Sequence, residues 1–155
     1  MITSILVPKD RIRIFNKKTL DVIARHCSKV FITENAVNVE GEGIETYQAC
    51  LVVKAISRGF SPKRAFEIFD DKEFVVIEIK GNENTLRRIR ARLIGTDGKV
   101  RKNLERITKC MISVYGKTVS IIGDYENIQT AQKAVEMIIK GSGFKAVYRF
   151  LQDKA

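Results

Sequence analysis

Laid against itself at a constant offset of 82 residues, the chain matches without a gap from Val30 onward. Val30 and Ile32 fall on Ile112 and Val114, and Val37 and Val39 on Val119 and Ile121. Gly41 falls on Gly123, Ala49 on Ala131, Ile56 on Ile138 and Gly59 on Gly141. Few residues are identical, but the apolar and glycine positions agree, as they do when one supersecondary unit is repeated. The chain is therefore expected to be two copies of one small module, residues 1–71 and 72–155, with the join near Asp70-Asp71-Lys72. A module of 70–80 residues has little core of its own, so the two are expected to pack together.

The second copy is the easier to parse. FVVIEI (74–79) is a β-branched run typical of a buried strand. ENTLRRIRARLI (83–94) carries Leu86, Ile89 and Leu93 on one helical face, with Asn84 or Thr85 placed to cap it. GTDG interrupts, and KVRKNLERITK (99–109) resumes with Val100, Leu104 and Ile107 at helical spacing. MISVY and TVSII alternate as strands around Gly116-Lys117, a pair suited to a two-residue II′ hairpin. DYENIQTAQKAVEMIIK (124–140) is an amphipathic helix with Asp124 as its expected cap, and 143–152 adds a short helix. The first copy repeats the order: a strand at ITSILV, a helix at KKTLDVIARHC, two strands, a helix over 43–58, and a last helix with Ser61 as cap and Pro62 in its first turn. The predicted fold class is α+β, a three-stranded sheet with helices on one face in each module.

Charge separates the two copies. Residues 1–80 hold 13 Lys and Arg against 11 Asp and Glu, whereas residues 81–155 hold 15 against 7. Ten basic and two acidic side chains fall within residues 87–117 alone, around Gly95-Thr96-Asp97-Gly98. A local field of that strength attracts phosphate or anionic lipid. No run of about 18 apolar residues exists to span a membrane, and the N-terminal apolar stretch is too short for a secretory signal. A cytoplasmic protein is expected. The three cysteines, Cys27, Cys50 and Cys110, have no CxxC spacing and read as buried thiols. The lone His26 beside Cys27 is not a nucleophile pair, because neighbouring helical side chains diverge. No compact carboxylate cluster suggests a metal nuclease.

The order helix, GxxG, helix within such a layer resembles the type I KH domain, in which that loop clamps a single-stranded nucleic acid backbone. The two KH-like modules would each run β-α-α-β-β-α with an extra C-terminal helix, the first being degenerate. Physical chemistry supports the resemblance: glycine removes a Cβ and tolerates positive φ, and a helix N-terminus attracts phosphate. On this reading Gly95, Thr96, Asp97 and Gly98 form the RNA loop, with Asp97 a lone acid in it. Arg92, Lys99, Arg101 and Lys102 pair with phosphates. Ile94, Val100, Leu104 and the strand from Ile112 to Val114 floor a groove for about four nucleotides, where Arg106 and Ser113 read bases. In the first module the loop position falls at Arg11–Ile14 or at Asn16–Thr19, and neither holds a glycine.

Over nearly its whole length the chain resembles more closely the archaeal and eukaryotic partner-of-Nob (Dim-type) ribosome-assembly family. RLIGTDGKVRKNLERIT, ISVYGKTVSIIGDYE, AVEMI, VYRFL, VPKDRI and KAISRGFSPKRAFEIFDD carry that resemblance. It implies a non-catalytic small-subunit assembly factor of compact archaeal type, with no cofactor. Such a factor binds the 3′ region of small-subunit rRNA beside the site cut by a Nob-type endonuclease. The α subunit of translation initiation factor 2 is a further implied partner. The competing expectation is a protein-interaction scaffold that docks such a nuclease or initiation factor, with the RNA held by the partner.

Overall fold

The computed structural model describes residues 1–154. They divide into two compact units, the first Met1–Asp71 and the second from Lys72 onward. In the second unit the chain runs β4 (Glu73–Glu78), α4 (Glu83–Ile94), α5 (Lys99–Thr108), β5 (Met111–Tyr115), β6 (Thr118–Gly123), α6 (Tyr125–Ile139) and α7 (Phe144–Lys154), with a 3-10 turn at Thr96–Gly98. The antiparallel sheet has the order β4-β6-β5, so β5 is an edge strand. Alternation decides the faces. Val75, Ile121 and Ile112 lie across one another, as do Ile77, Val119 and Val114, and all six pack in the core with Leu86, Ile89 and Leu93 of α4 and Leu104 of α5. The sheet is two-sided, and the helices cover this face.

The first unit has β1 (Ile2–Leu6), α1 (Lys17–Ala24), β2 (Lys29–Thr33), β3 (Ala36–Glu40), α2 (Ile44–Ser57) and a four-residue α3 (Pro62–Ala65) that runs on as a 3-10 turn. Its sheet order, β1-β3-β2, repeats that of the second unit. The offset of 82 recurs in the first residues of corresponding elements: Lys17 and Lys99, Lys29 and Met111, Ala36 and Thr118, Pro62 and Phe144. One element departs from the expected order. Where the second unit has the twelve-residue α4, the first has only a three-residue 3-10 turn at Ile12–Ile14. The link between β1 and α1 is too short for a helix of that length.

Caps show how local chemistry sets the ends. α4 starts at Asn82, whose side chain accepts from the Thr85 N–H at 2.9 Å, and not at Asn84 or Thr85. Ser61 and Asn16 cap α3 and α1 in the same way, at 3.4 and 3.0 Å. Asp124 holds the N-cap position of α6 without a side-chain cap, because its carboxylate pairs with Lys72 Nζ at 2.7 Å. Gly116 turns the β5–β6 hairpin at φ +55°, and Lys117 is not in the left-handed region, as a II′ turn requires. Cys110 and Cys50 are buried and Cys27 is half-buried. Burial pushes the Cys110 thiol up, which keeps it neutral.

Candidate nucleic-acid interface

The link between α4 and α5 is built on two glycines with different duties. Gly95 has φ +74° and ψ 175°, a region that only glycine enters readily. A Cβ there would lie 2.5 Å from Val100 Cγ2 and 2.9 Å from the Val100 nitrogen. Gly95 is thus required by the loop's own packing. Gly98 has φ +76° and ψ 15°, and a Cβ on it would meet only Lys102 Cε at 3.6 Å and the Arg101 guanidinium at 3.9 Å. Its bare backbone looks out between two cations. Asp97 is left-handed as well, at φ +55° and ψ 24°, a conformation that Asp tolerates better than most residues. Its presence in a basic loop therefore has a backbone reason. The Gly98 N–H closes the turn onto the Gly95 carbonyl at 3.1 Å. Thr96 and Lys99 are exposed beside it, and Ile94 is half-buried.

On the flank of α5 that faces β5, Arg101 donates to Glu105 Oε1 at 2.9 Å, and the Ile112 N–H donates to Glu105 Oε2 at 2.7 Å. An edge strand turns alternate N–H and C=O groups outward. Glu105 occupies the outward N–H of Ile112 and fastens helix to strand. The signal for it in the sequence is Arg101 and Glu105 four residues apart, on one side of a helix.

Several expected contacts lie elsewhere. Arg92 donates to the carbonyls of Ile138 and Ser142, both at 2.6 Å, and its guanidinium sits 5.1 Å from the Phe144 ring centroid. It clasps the C-terminus of α6 through both terminal nitrogens of its guanidinium. Arg90 donates to the Gly116 carbonyl at 2.7 Å. Part of the basic run is thus structural, while Arg87, Arg88, Lys99 and Lys102 remain exposed. Leu104 and Ile112 are core residues at 1% and 2% exposure, too deep to floor a groove. Ser113 lies opposite Ser120 and Val76, on the sheet face away from the helices, so its hydroxyl does not reach the groove. Arg106 is on the other flank of α5, facing α7. What the fold brings together is Gly95–Gly98, Lys99, Arg101 and Lys102, beside Ile94 and Val100.

The Arg92 clasp is duplicated. In the first unit Arg11 donates to the carbonyls of Ile56 at 3.0 Å and Phe60 at 2.8 Å, the residues 82 positions before Ile138 and Ser142. Arg11 stands 81 positions before Arg92, so the first unit's link is one residue shorter and the pair is out of register in the sequence. Neither Arg11–Ile14 nor Asn16–Thr19 forms a GxxG-like loop. The first stretch holds the clasp and the 3-10 turn, and the second starts α1. His26 stacks on Phe69 with centroids 3.6 Å apart, and the Cys27 thiol lies against the Ile23 and Lys29 carbonyls. Among the described residues no group of three or more His, Cys, Asp and Glu is placed to hold a metal ion, and no helix is long and apolar enough to cross a membrane.

A family model described as the eukaryotic type KH-domain (KH-domain type I) matches residues 66–155. A KH domain-containing protein of Methanocaldococcus jannaschii is 32% identical over 160 residues, spanning 94% of this chain and 70% of that protein. The pre-rRNA-processing protein pno1 of Aspergillus oryzae is 32% identical over 110 residues, which are 66% of this chain and 42% of its own length. The crystal structure of Dim2p from Pyrococcus horikoshii has a TM-score of 0.89 and 32% identity, covering 99% of both chains. A chain in the crystal structure of an a/eIF2α–aDim2p–rRNA complex from the same organism also has a TM-score of 0.89 and 32% identity, covering 99% of this chain and 93% of that one.

Proposed function

The chain belongs to the Pno1/Dim2-type family of KH-domain pre-rRNA-processing proteins, and from that premise we propose that it is a cytoplasmic, non-catalytic assembly factor of the small ribosomal subunit. Its second unit clamps single-stranded RNA from the 3′ region of small-subunit rRNA on the Gly95–Gly98 loop. The observation that carries this reading is Gly98: left-handed, without a Cβ, and flanked by Lys102 and Arg101 at the head of α5. A phosphodiester can come into van der Waals contact with that backbone while both cations neutralise it. Lys99 extends the cation row, and Ile94 and Val100 supply apolar surface for the bases. The solved a/eIF2α–aDim2p–rRNA complex of a relative supports rRNA as the ligand class and the initiation factor's α subunit as a partner.

The test is a fluorescence-anisotropy titration with a short RNA copying the 3′ end of small-subunit rRNA and a scrambled control, for wild type and Gly98→Asp. Aspartate is tolerated at this φ and ψ but sets a carboxylate between Arg101 and Lys102. We expect a loss of affinity of about tenfold or more, since one well-placed charged contact contributes about 1.5–3 kcal/mol, with the fold retained and a melting temperature lower by only a few degrees. Unchanged affinity would sink the loop reading.

A scaffold role is favoured in the first unit. Its link holds no glycine, and Ile44 and Tyr47, one helical turn apart on α2, are 79% and 64% exposed. That face is where a Nob-type endonuclease or the initiation factor subunit would dock.

A further inference from the structure

Away from the loop and the β5 flank, α5 and α7 enclose a cleft of about 420 Å³ lined by Asn103, Arg106, Ile107, Tyr148, Leu151 and Gln152. Ile107 and Leu151 are its apolar floor, Tyr148 is half-buried, and Arg106 and Gln152 are exposed at the rim. No acid lines it. Lys102, one turn before Arg106, and Lys145, one turn before Tyr148, are exposed and add positive charge to the same edges. An aromatic ring, a guanidinium and two carboxamides around an apolar floor match a nucleobase. The ring or guanidinium offers a stacking plane, and each amide offers a donor and an acceptor to a base edge. Arg106 lies eight residues beyond Gly98 on one continuous helix, about 12 Å along its axis, so a strand held at the loop can reach it.

The repeat provides an internal comparison. The first unit's own cleft, about 370 Å³, lies nearer the starts of α1 and α3 and shares a single position with this one, Phe66 for Tyr148. The positions 82 residues before Asn103, Arg106 and Gln152 are Asp21, Ala24 and Asp70. The guanidinium and the two amides at those three positions are thus confined to the unit that carries the glycine loop. Acids at two of the three matching positions suit that place in the first unit poorly to a polyanion. We propose that the α5–α7 cleft of the second unit is a second nucleotide subsite. It takes one base of the RNA outside the stretch held in the groove beside β5, stacked on Tyr148 and paired with Arg106 through its phosphate.

This inference rests on the loop reading above, and the experiment separates the two. Tetranucleotides and octanucleotides of the same rRNA-derived sequence, extended at either end, are titrated against wild type, Gly98→Asp, Tyr148→Leu and Arg106→Gln. Leucine keeps the packing of residue 148 against the core but has no π face, and Arg106 is exposed, so both variants are expected to fold; thermal melting checks this. Stacking of one base contributes enough for wild type to bind one of the octamers about tenfold tighter than the tetramer. Tyr148→Leu and Arg106→Gln should each remove most of that advantage while leaving tetramer affinity unchanged, whereas Gly98→Asp should weaken both lengths. An octamer advantage that survives both cleft substitutions, or no advantage in wild type, overturns the subsite and leaves the loop reading standing. Wild type that binds neither length overturns both.

Discussion

A Cβ placed on Gly95 would collide with Val100 Cγ2 at 2.5 Å, whereas one on Gly98 would meet nothing nearer than 3.6 Å. The letters G-x-x-G present the two residues as equals, but their costs of replacement differ. Gly95→Ala adds a steric clash to a backbone conformation that strongly disfavours side chains, and each effect costs about 1–3 kcal/mol. Gly98→Ala suffers only the left-handed penalty of about 1–2 kcal/mol. Chemical denaturation of the two single variants is therefore expected to show Gly95→Ala as clearly the less stable; equal losses would mean that Val100 gives way. Replacing both glycines together would confound unfolding with lost binding, which is why Gly98 alone is the informative site. At this scale the sequence made the loop's backbone demand legible, because glycine spacing is local. It concealed which glycine is structural, since that depends on where the Val100 side chain comes to rest.

At the scale of elements, the arginine clasp shows how tertiary partners redirect a charged side chain. In the sequence Arg92 belongs to a basic run next to a phosphate loop. In the folded unit its guanidinium fills the open end of α6, where the last carbonyls and the helix dipole attract a cation. Its acceptors are 46 and 50 residues away, so no local pattern reveals them. The same device in the first unit, on Arg11, marks it as part of the architecture rather than of ligand binding. Arg92→Ala should lower the unfolding free energy by about 2–3 kcal/mol, the value of a charged hydrogen-bond pair partly offset by water. The slope of log K for RNA against log salt should stay as in wild type. A shallower slope in the folded variant would return Arg92 to the phosphate contacts. Helix and strand bounds in the second unit, in contrast, were readable to within about two residues, because the periods of 3.6 and 2 report burial directly. The first unit was less legible: α1 stops at Ala24 and not at Cys27, the helix after Ser61 gives way to a 3-10 turn at Phe66, and α4's missing counterpart hides in a stretch where no periodicity could be read.

For the whole molecule, two units of one plan differ in charge and loop, and RNA affinity is expected to follow that difference. With three or four phosphates neutralised, log K should fall with log salt at a slope of about −2 to −3 for a single strand. Replacing Lys99 and Lys102 by glutamine should flatten the slope by more than one unit, while the same change at Lys17 and Lys18 should leave it almost unaltered. Equal effects from both pairs would mean that the first unit binds RNA as well. The repeat, the α+β layers, the asymmetry of charge and the family resemblance were all present in the sequence by itself. Each depends on residue type at fixed spacing, and spacing survives folding. Only the tertiary structure decided the assignments of individual side chains: Arg92 to the end of α6, Ser113 to the far face of the sheet, Glu105 to the edge of β5, and Arg106 to the cleft with α7. Those outcomes are set by the angle of a residue around its helix or strand axis relative to elements that arrive from elsewhere in the chain. A one-residue shift in a link, such as the one that separates Arg11 from register with Arg92, leaves that geometry intact while erasing its trace from the alignment.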